Sequence, residues 1–131
     1  ITMGIFTHVV VGTNDVERGR KFYDAVLDTM GLKRVMNFDA ASLWSTGAAD
    51  SDLFMITKPG NGLPATYANG GTISFAASSR AAVHKFHEVA LAHGGKDEGA
   101  PGPRSFTPTA YAAYVRDPDG NKICCYCFAP A

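Results

Sequence analysis

The chain has 131 residues, which fits one domain with a real buried core. Hydrophobic residues make up 46% and charged residues 18%, a globular composition that excludes an intrinsically disordered chain. Twelve basic side chains balance twelve acidic ones, so no net charge steers the protein toward nucleic acid or an anionic membrane surface.

In chain order, residues 5–12 are short and β-branched and predict a strand. Thr13 and Asn14 offer N-caps to a helix whose first turn carries Asp15 and Glu17, acids suited to its positive end. Val16, Phe22, Ala25, Val26 and Met30 follow at helical spacing, and Gly31 ends the helix as a left-handed cap. Strands are expected at 32–38, 41–46 and 52–57. Residues 58–70 are rich in Gly, Pro and Asn and read as a linker. The order then repeats. Strand 71–77 leads to Ser78 or Ser79 as cap of a helix over 79–93, stopped by Gly94 and Gly95. A long Gly/Pro loop is expected over 97–110. Strand 111–116, the turn Asp117-Pro118-Asp119-Gly120-Asn121 and strand 122–128 close the chain.

The pattern is two βαβββ modules, one over about 4–57 and one over 71–128, in a single α+β domain. A gapless match of their starts puts His8 on Thr72, Val9 on Ile73 and Val11 on Phe75. Near the ends Leu53 falls on Cys124 and Pro59 on Pro130. Together the modules predict a curved mixed sheet with helices outside and a central cleft. Side-chain alternation assigns the faces. Ile73, Phe75, Val9, Val11, Ile123, Cys125 and Cys127 should face helices. His8, Val10, Thr72, Ser74, Cys124, Tyr126 and Phe128 should face the cleft.

No apolar run is long enough to span a bilayer, so no membrane partner is expected. With Met3 as the natural start, the N-terminal residues lack the features of a signal peptide. The three cysteines, Cys124, Cys125 and Cys127, are odd in number and too close for a disulfide framework. These features predict a cytoplasmic protein.

Two stretches carry a family resemblance. Thr7-His8-Val9-Val10-Val11-Gly12-Thr13-Asn14-Asp15, with Lys21-Phe22-Tyr23 and Gly31-Leu32, resembles the first strand and helix of vicinal-oxygen-chelate proteins. Arg116-Asp117-Pro118-Asp119-Gly120-Asn121-Lys122-Ile123 resembles that superfamily's last hairpin. The segment from Ser79 through Phe86-His87 to Gly94-Gly95 is similar to small proteins of the glyoxalase/bleomycin resistance/dioxygenase family. The resemblance implies a glyoxalase-like fold, often a homodimer, and a divalent ion held by four ligands on inner strands. Such an ion stabilises an enolate or oxyanion of a bound substrate. Carried over, the ligand positions are His8, Leu53 (with Phe54 and Met55 as slip alternatives), Thr72 and Cys124; only His8 matches. A catalytic zinc normally keeps three protein ligands. No tightly held metal of the family type is therefore expected, and no other cofactor. A divalent metal stays possible if the 97–110 loop or a partner subunit supplies ligands.

The expectation is a small-molecule binder of unassigned ligand, resembling bleomycin-resistance proteins. The alternative is a metal-dependent lyase, isomerase or dioxygenase resembling glyoxalase I, with His8 as base or sole remaining ligand. Thr72, Ser74, Cys124, Tyr126 and Arg104 are candidate ligand contacts, Arg104 as a carboxylate or phosphate clamp. Tyr111, Tyr114 and Phe106 are further candidates. Each has a structural reading too: packed strand histidine, buried thiol, core aromatic, solvated loop arginine. His84 and His87 are expected to be solvated or partly packed on the outer helix, and His93 to cap it.

Overall fold

The computed structural model describes residues 5–48 and 52–131. Met3 and Gly4, named above as the start of the chain and of the first module, lie outside the described residues. The first module runs β1 (His8–Gly12), α1 (Val16–Asp28), β2 (Lys33–Asn37), β3 (Ala41–Ser45) and β4 (Leu53–Thr57). The second runs β5 (Ile73–Ala76), α2 (Arg80–Ala92), β6 (Lys96–Pro103), β7 (Tyr111–Arg116) and β8 (Lys122–Cys127). Each module forms its own mixed four-stranded sheet, in order β1-β4-β3-β2 and β5-β8-β7-β6. The β1–β4 and β5–β8 pairs are parallel; the other pairs are antiparallel. The modules are true topological copies.

Two local expectations change. Asp15, not Thr13 or Asn14, caps α1: its carboxylate accepts the backbone N–H of Arg18 at 3.0 Å. Thr13 is buried and turns its hydroxyl elsewhere, donating to the Asp119 carboxylate at 2.6 Å. Second, the expected loop at 97–110 begins as β6. This strand lies at a sheet edge and its ladder is broken around Gly99 and Gly102. An edge strand with bulges tolerates Pro101 and Pro103, whose missing donors would disrupt a central strand. Ser79 caps α2, accepting from the Ala82 N–H at 3.1 Å. Gly31 and Gly94 follow the two helices with φ of 79° and 97°, the left-handed stop that glycine adopts without a Cβ clash.

The two helices pack on one another and on one face of each sheet. Phe22, Tyr23, Val26 and Leu27 from α1 meet Val83, Phe86 and Ala90 from α2 in a single core. Trp44, Phe54 and Ile56 close it from the first sheet; Val115, Ile123, Cys125 and Cys127 close it from the second. Val9, Val11, Ile73 and Phe75 pack against this core, on the helix side, as strand alternation requires.

The Asp117–Asn121 turn bolts the modules together. The Asp119 carboxylate accepts from the Thr13 hydroxyl, the Asn14 N–H and the Arg18 guanidinium, all in the first module. The buried Asp117 carboxylate accepts the Tyr23 hydroxyl at 2.6 Å and the N–H groups of Asp119 and Asn121, each at 2.9 Å. The Asn121 amide donates to the Gly12 carbonyl at 2.8 Å. These bonds fix where β8 starts, and β8 carries much of the site.

Candidate functional site

The sheet faces turned away from the core differ in chemistry although their topology is shared. Strand registers align Val10, Met55, Leu43 and Met36 in a row across all four strands of the first sheet. The equivalent row of the second sheet is Ser74, Cys124, Tyr114 and Gly99. One row is apolar; the other offers hydroxyls, a thiol and a glycine against which the Arg104 guanidinium packs, 3.2 Å from where a Cβ would stand. The second row is the floor of a concavity of about 630 Å³. Its lining is Thr72, Ser74, Glu98, Gly99, Arg104, Tyr114, Lys122, Cys124 and Tyr126.

All five residues anticipated as ligand contacts, Thr72, Ser74, Cys124, Tyr126 and Arg104, therefore meet around one space. His8 does not join them. It lies exposed on β1 of the other sheet, its Nδ1 within 3.0 Å of the Thr7 hydroxyl. Every residue lining this concavity belongs to the second module. Tyr111 also leaves the set: its hydroxyl meets His84 Nε2 at 2.6 Å on the helix side. His87 pairs with Asp97 at 2.8 Å, so His84 and His87 have separate partners. His93 is the C-cap residue of α2, its Nδ1 at 2.8 Å from the Val89 carbonyl.

Tyr114, a further candidate from the sequence, joins the lining, whereas Lys122 and Glu98 were not anticipated. Lys122 follows a turn and reads as a solvated residue. Alternation does place it on the face of Cys124 and Tyr126, and that parity was the available signal. Glu98 was hidden because 97–110 reads as loop.

The electrostatics of the wall are positive. Glu98 is tied to Arg116 at 3.2 Å, outside the lining. The Arg104 guanidinium donates only to backbone carbonyls, of Gly102, Pro103 and Ala100. Neither Arg104 nor Lys122 has an ion-pair partner among the described residues. Both sit over the Tyr114 ring, the guanidinium carbon at 5.5 Å and the ammonium at 5.2 Å from its centroid, within cation–π range. The Tyr114 and Tyr126 hydroxyls are 2.5 Å apart. Burial, and then the bond to Tyr126, push the Tyr114 phenol well above the usual tyrosine range, so it stays a neutral hydroxyl. Burial likewise raises the Cys124 thiol, with partial relief from the hydroxyls of Ser74 and Tyr114 and the charges of Lys122 and Arg104. At 1% exposure this thiol is a polarizable floor and not an activated nucleophile.

The family's metal ligands do not fit these positions. Matching the helix caps Asp15 and Ser79 keeps His8 on Thr72. The parallel ladders then put Met55, not Leu53, on Cys124, because Leu53 is opposite His8 while Ser74 is opposite Cys124. Phe54 points into the core and leaves the comparison. The set is then an imidazole, a thioether, a hydroxyl and a thiol, divided between two sheets. Among the described residues no three His, Cys, Asp or Glu side chains gather where one ion could touch them. Carboxylates suit hard divalent ions and imidazole suits zinc, iron or nickel; of these donors the set keeps only His8.

A family model described as the Glyoxalase/Bleomycin resistance protein/Dioxygenase superfamily matches residues 5–125. Among solved structures, the chain is similar to a glyoxalase/bleomycin resistance protein from Albidiferax ferrireducens T118. The identity is 42% over 97% of this chain and 100% of that one, with a TM-score of 0.86. A glyoxalase/bleomycin resistance protein/dioxygenase family enzyme from Burkholderia phytofirmans PsJN shares 18% identity over 94% of this chain and 98% of that one, with a TM-score of 0.73. Lactoylglutathione lyase from Agrobacterium tumefaciens shares 20% identity over 97% of this chain and 95% of that one, with a TM-score of 0.67. At those two identities the likeness is one of fold. No curated protein matches the chain. Among the described residues no helix is long and apolar enough to cross a membrane.

Proposed function

The chain belongs to the Glyoxalase/Bleomycin resistance protein/Dioxygenase superfamily, and on that premise we propose that it binds a small organic molecule in the second-sheet concavity without the family's usual metal. The observation that carries this reading is the lining itself: hydroxyls, aromatic rings and two cations around about 630 Å³, with no carboxylate–imidazole set among them. The volume is ordinary for a small-molecule site. Thr72, Ser74 and Tyr126 supply hydroxyl contacts, Cys124 the floor and Arg104 a charged wall. The test pairs elemental analysis of protein purified without chelator with a thermal-shift ligand screen. The expected result is no stoichiometric metal, and ligand-induced stabilisation that Ser74→Trp, which fills the concavity, removes. Stoichiometric nickel, zinc, iron or manganese that disappears in His8→Ala would instead support a metal-dependent lyase, isomerase or dioxygenase.

The same reading includes a homodimer. What supports it is the apolar row of the first sheet, whose ends Val10 and Met36 are 44% and 45% exposed, with Phe38, two residues beyond Met36, at 58%. β1 and β5 also each keep one edge free in their own sheet. Exposed apolar surface beside unpaired strand edges favours a second copy as cover. Light scattering on a sizing column should give twice the chain mass, and Val10→Asp with Met36→Asp should give a monomer. A monomeric parent protein would remove this part of the reading.

A further inference from the structure

We propose that the concavity selects an organic anion with a flat apolar or aromatic body. The inference rests on the binding reading above and adds the class of ligand. Three observations converge. First, the wall holds two cations, Arg104 and Lys122, with no carboxylate paired to either among the described residues. Glu98, the acid in the lining, is engaged by Arg116. Arg104 is held in place by three backbone carbonyls, which orient its charge without neutralising it. An ammonium on a flexible stem beside a fixed guanidinium suits a carboxylate or similar anion.

Second, the polar neighbours of these cations are donors. The hydroxyls of Thr72, Ser74 and Tyr126 can each turn a proton toward an anion. The Tyr114–Tyr126 hydroxyl pair uses one proton between its members and leaves the other free to donate at the same spot. Third, an aromatic shelf continues from the polar floor to the rim. Tyr126 and Phe128 are stacked, 5.5 Å between centroids and 15° between planes. Phe106 lies 5.6 Å from Tyr126 and 6.1 Å from Phe128. Phe106 and Phe128 are 63% and 53% exposed, so the shelf can accept another ring or flat chain. A cationic end and an aromatic end on one surface define an amphiphilic anion.

The experiment compares three probes of one shape: benzoate, neutral benzamide and cationic benzylamine. Titration is followed by NMR on the tyrosine rings and by calorimetry, with the full chain, Lys122→Met, Arg104→Met and Phe106→Ala. Benzoate should bind at least tenfold tighter than benzamide, and benzylamine weakest. Lys122→Met should remove most of the benzoate preference. Phe106→Ala should weaken benzoate and benzamide alike. Added salt should weaken benzoate selectively. Circular dichroism confirms that each variant folds. Equal binding of benzoate and benzamide, or a benzoate preference that survives both Lys122→Met and Arg104→Met, overturns the charge selection and leaves cleft binding intact. Failure of all three probes at millimolar concentration to perturb the Tyr126 ring overturns the binding reading as well.

Discussion

Replacing Asp117 with alanine should destabilise the protein far more than a turn residue ordinarily would. Its carboxylate accepts four bonds: from the Tyr23 hydroxyl, the Asn121 side-chain amide and the N–H groups of Asp119 and Asn121. Bonds to a charged acceptor contribute about 1.5–3 kcal/mol each when removed singly, but they share one acceptor and do not add. The Tyr23 hydroxyl is the decisive loss. Tyr23 is 1% exposed, so its donor would be stranded away from water, at about 1–3 kcal/mol. Part of the loss is offset, because burial already penalises the ionised carboxylate and raises the Asp117 pKa. The expected net cost is about 3–5 kcal/mol, the range for breaking a buried charged network. Asp117→Asn keeps one acceptor oxygen for the turn N–H groups and should cost about 1–2 kcal/mol. Tyr23→Phe removes the donor that would be stranded, so Asp117→Ala in that background should cost about 1–2 kcal/mol less. Urea unfolding at fixed protein concentration, with m unchanged, measures each value. A cost below about 1 kcal/mol, or an equal cost in both backgrounds, would refute the placement of this carboxylate in the core network.

Three further outcomes follow from the same structure. Gly95→Ala would put a Cβ 2.8 Å from the Ala90 carbonyl oxygen, 3.0 Å from Phe22 Cε1 and 3.1 Å from the Arg116 carbonyl oxygen. Two of these are backbone atoms that cannot yield cheaply, so a loss of about 1–3 kcal/mol is expected by urea unfolding. All three cysteines are buried, and burial pushes the Cys125 thiol up to about 12. A chromogenic disulfide reagent at pH near 8 should therefore react only as fast as the protein opens, and at once in denaturant. Asp97 is held below the ordinary aspartate range by its bond to His87 and then by the Gly99 N–H. Its contribution is present above the unfolded aspartate pKa and is lost as pH falls through the lower folded value. Asp97→Ala should thus flatten the acid limb of the stability–pH curve. Asp117, with a raised pKa, works in the opposite sense, since its ionised form is the disfavoured one.

The amino-acid order by itself determined the two modules, the chain order of most elements and the side that β1, β5 and β8 turn to the helices. Those properties are local or periodic: alternation by two marks a strand with one buried face, and capping side chains with glycine stops mark helix ends. Six of the residues lining the concavity were legible, Thr72, Ser74, Tyr114, Cys124 and Tyr126 as strand residues and Arg104 as a loop cation. Tertiary structure decided what depends on partners distant in sequence. Whether Asp15 or Thr13 caps α1 was settled by Asp119, which takes the Thr13 hydroxyl from the far end of the chain. Whether 97–103 is strand or loop was settled by β7, which pairs with a Gly/Pro segment at a sheet edge where missing donors are tolerated. Lys122 became a wall residue only once β7 set Tyr114 beneath its ammonium. His8 was separated from Thr72 and Cys124 because each module closes a sheet of its own, a fact of hydrogen-bond pairing that no local pattern encodes.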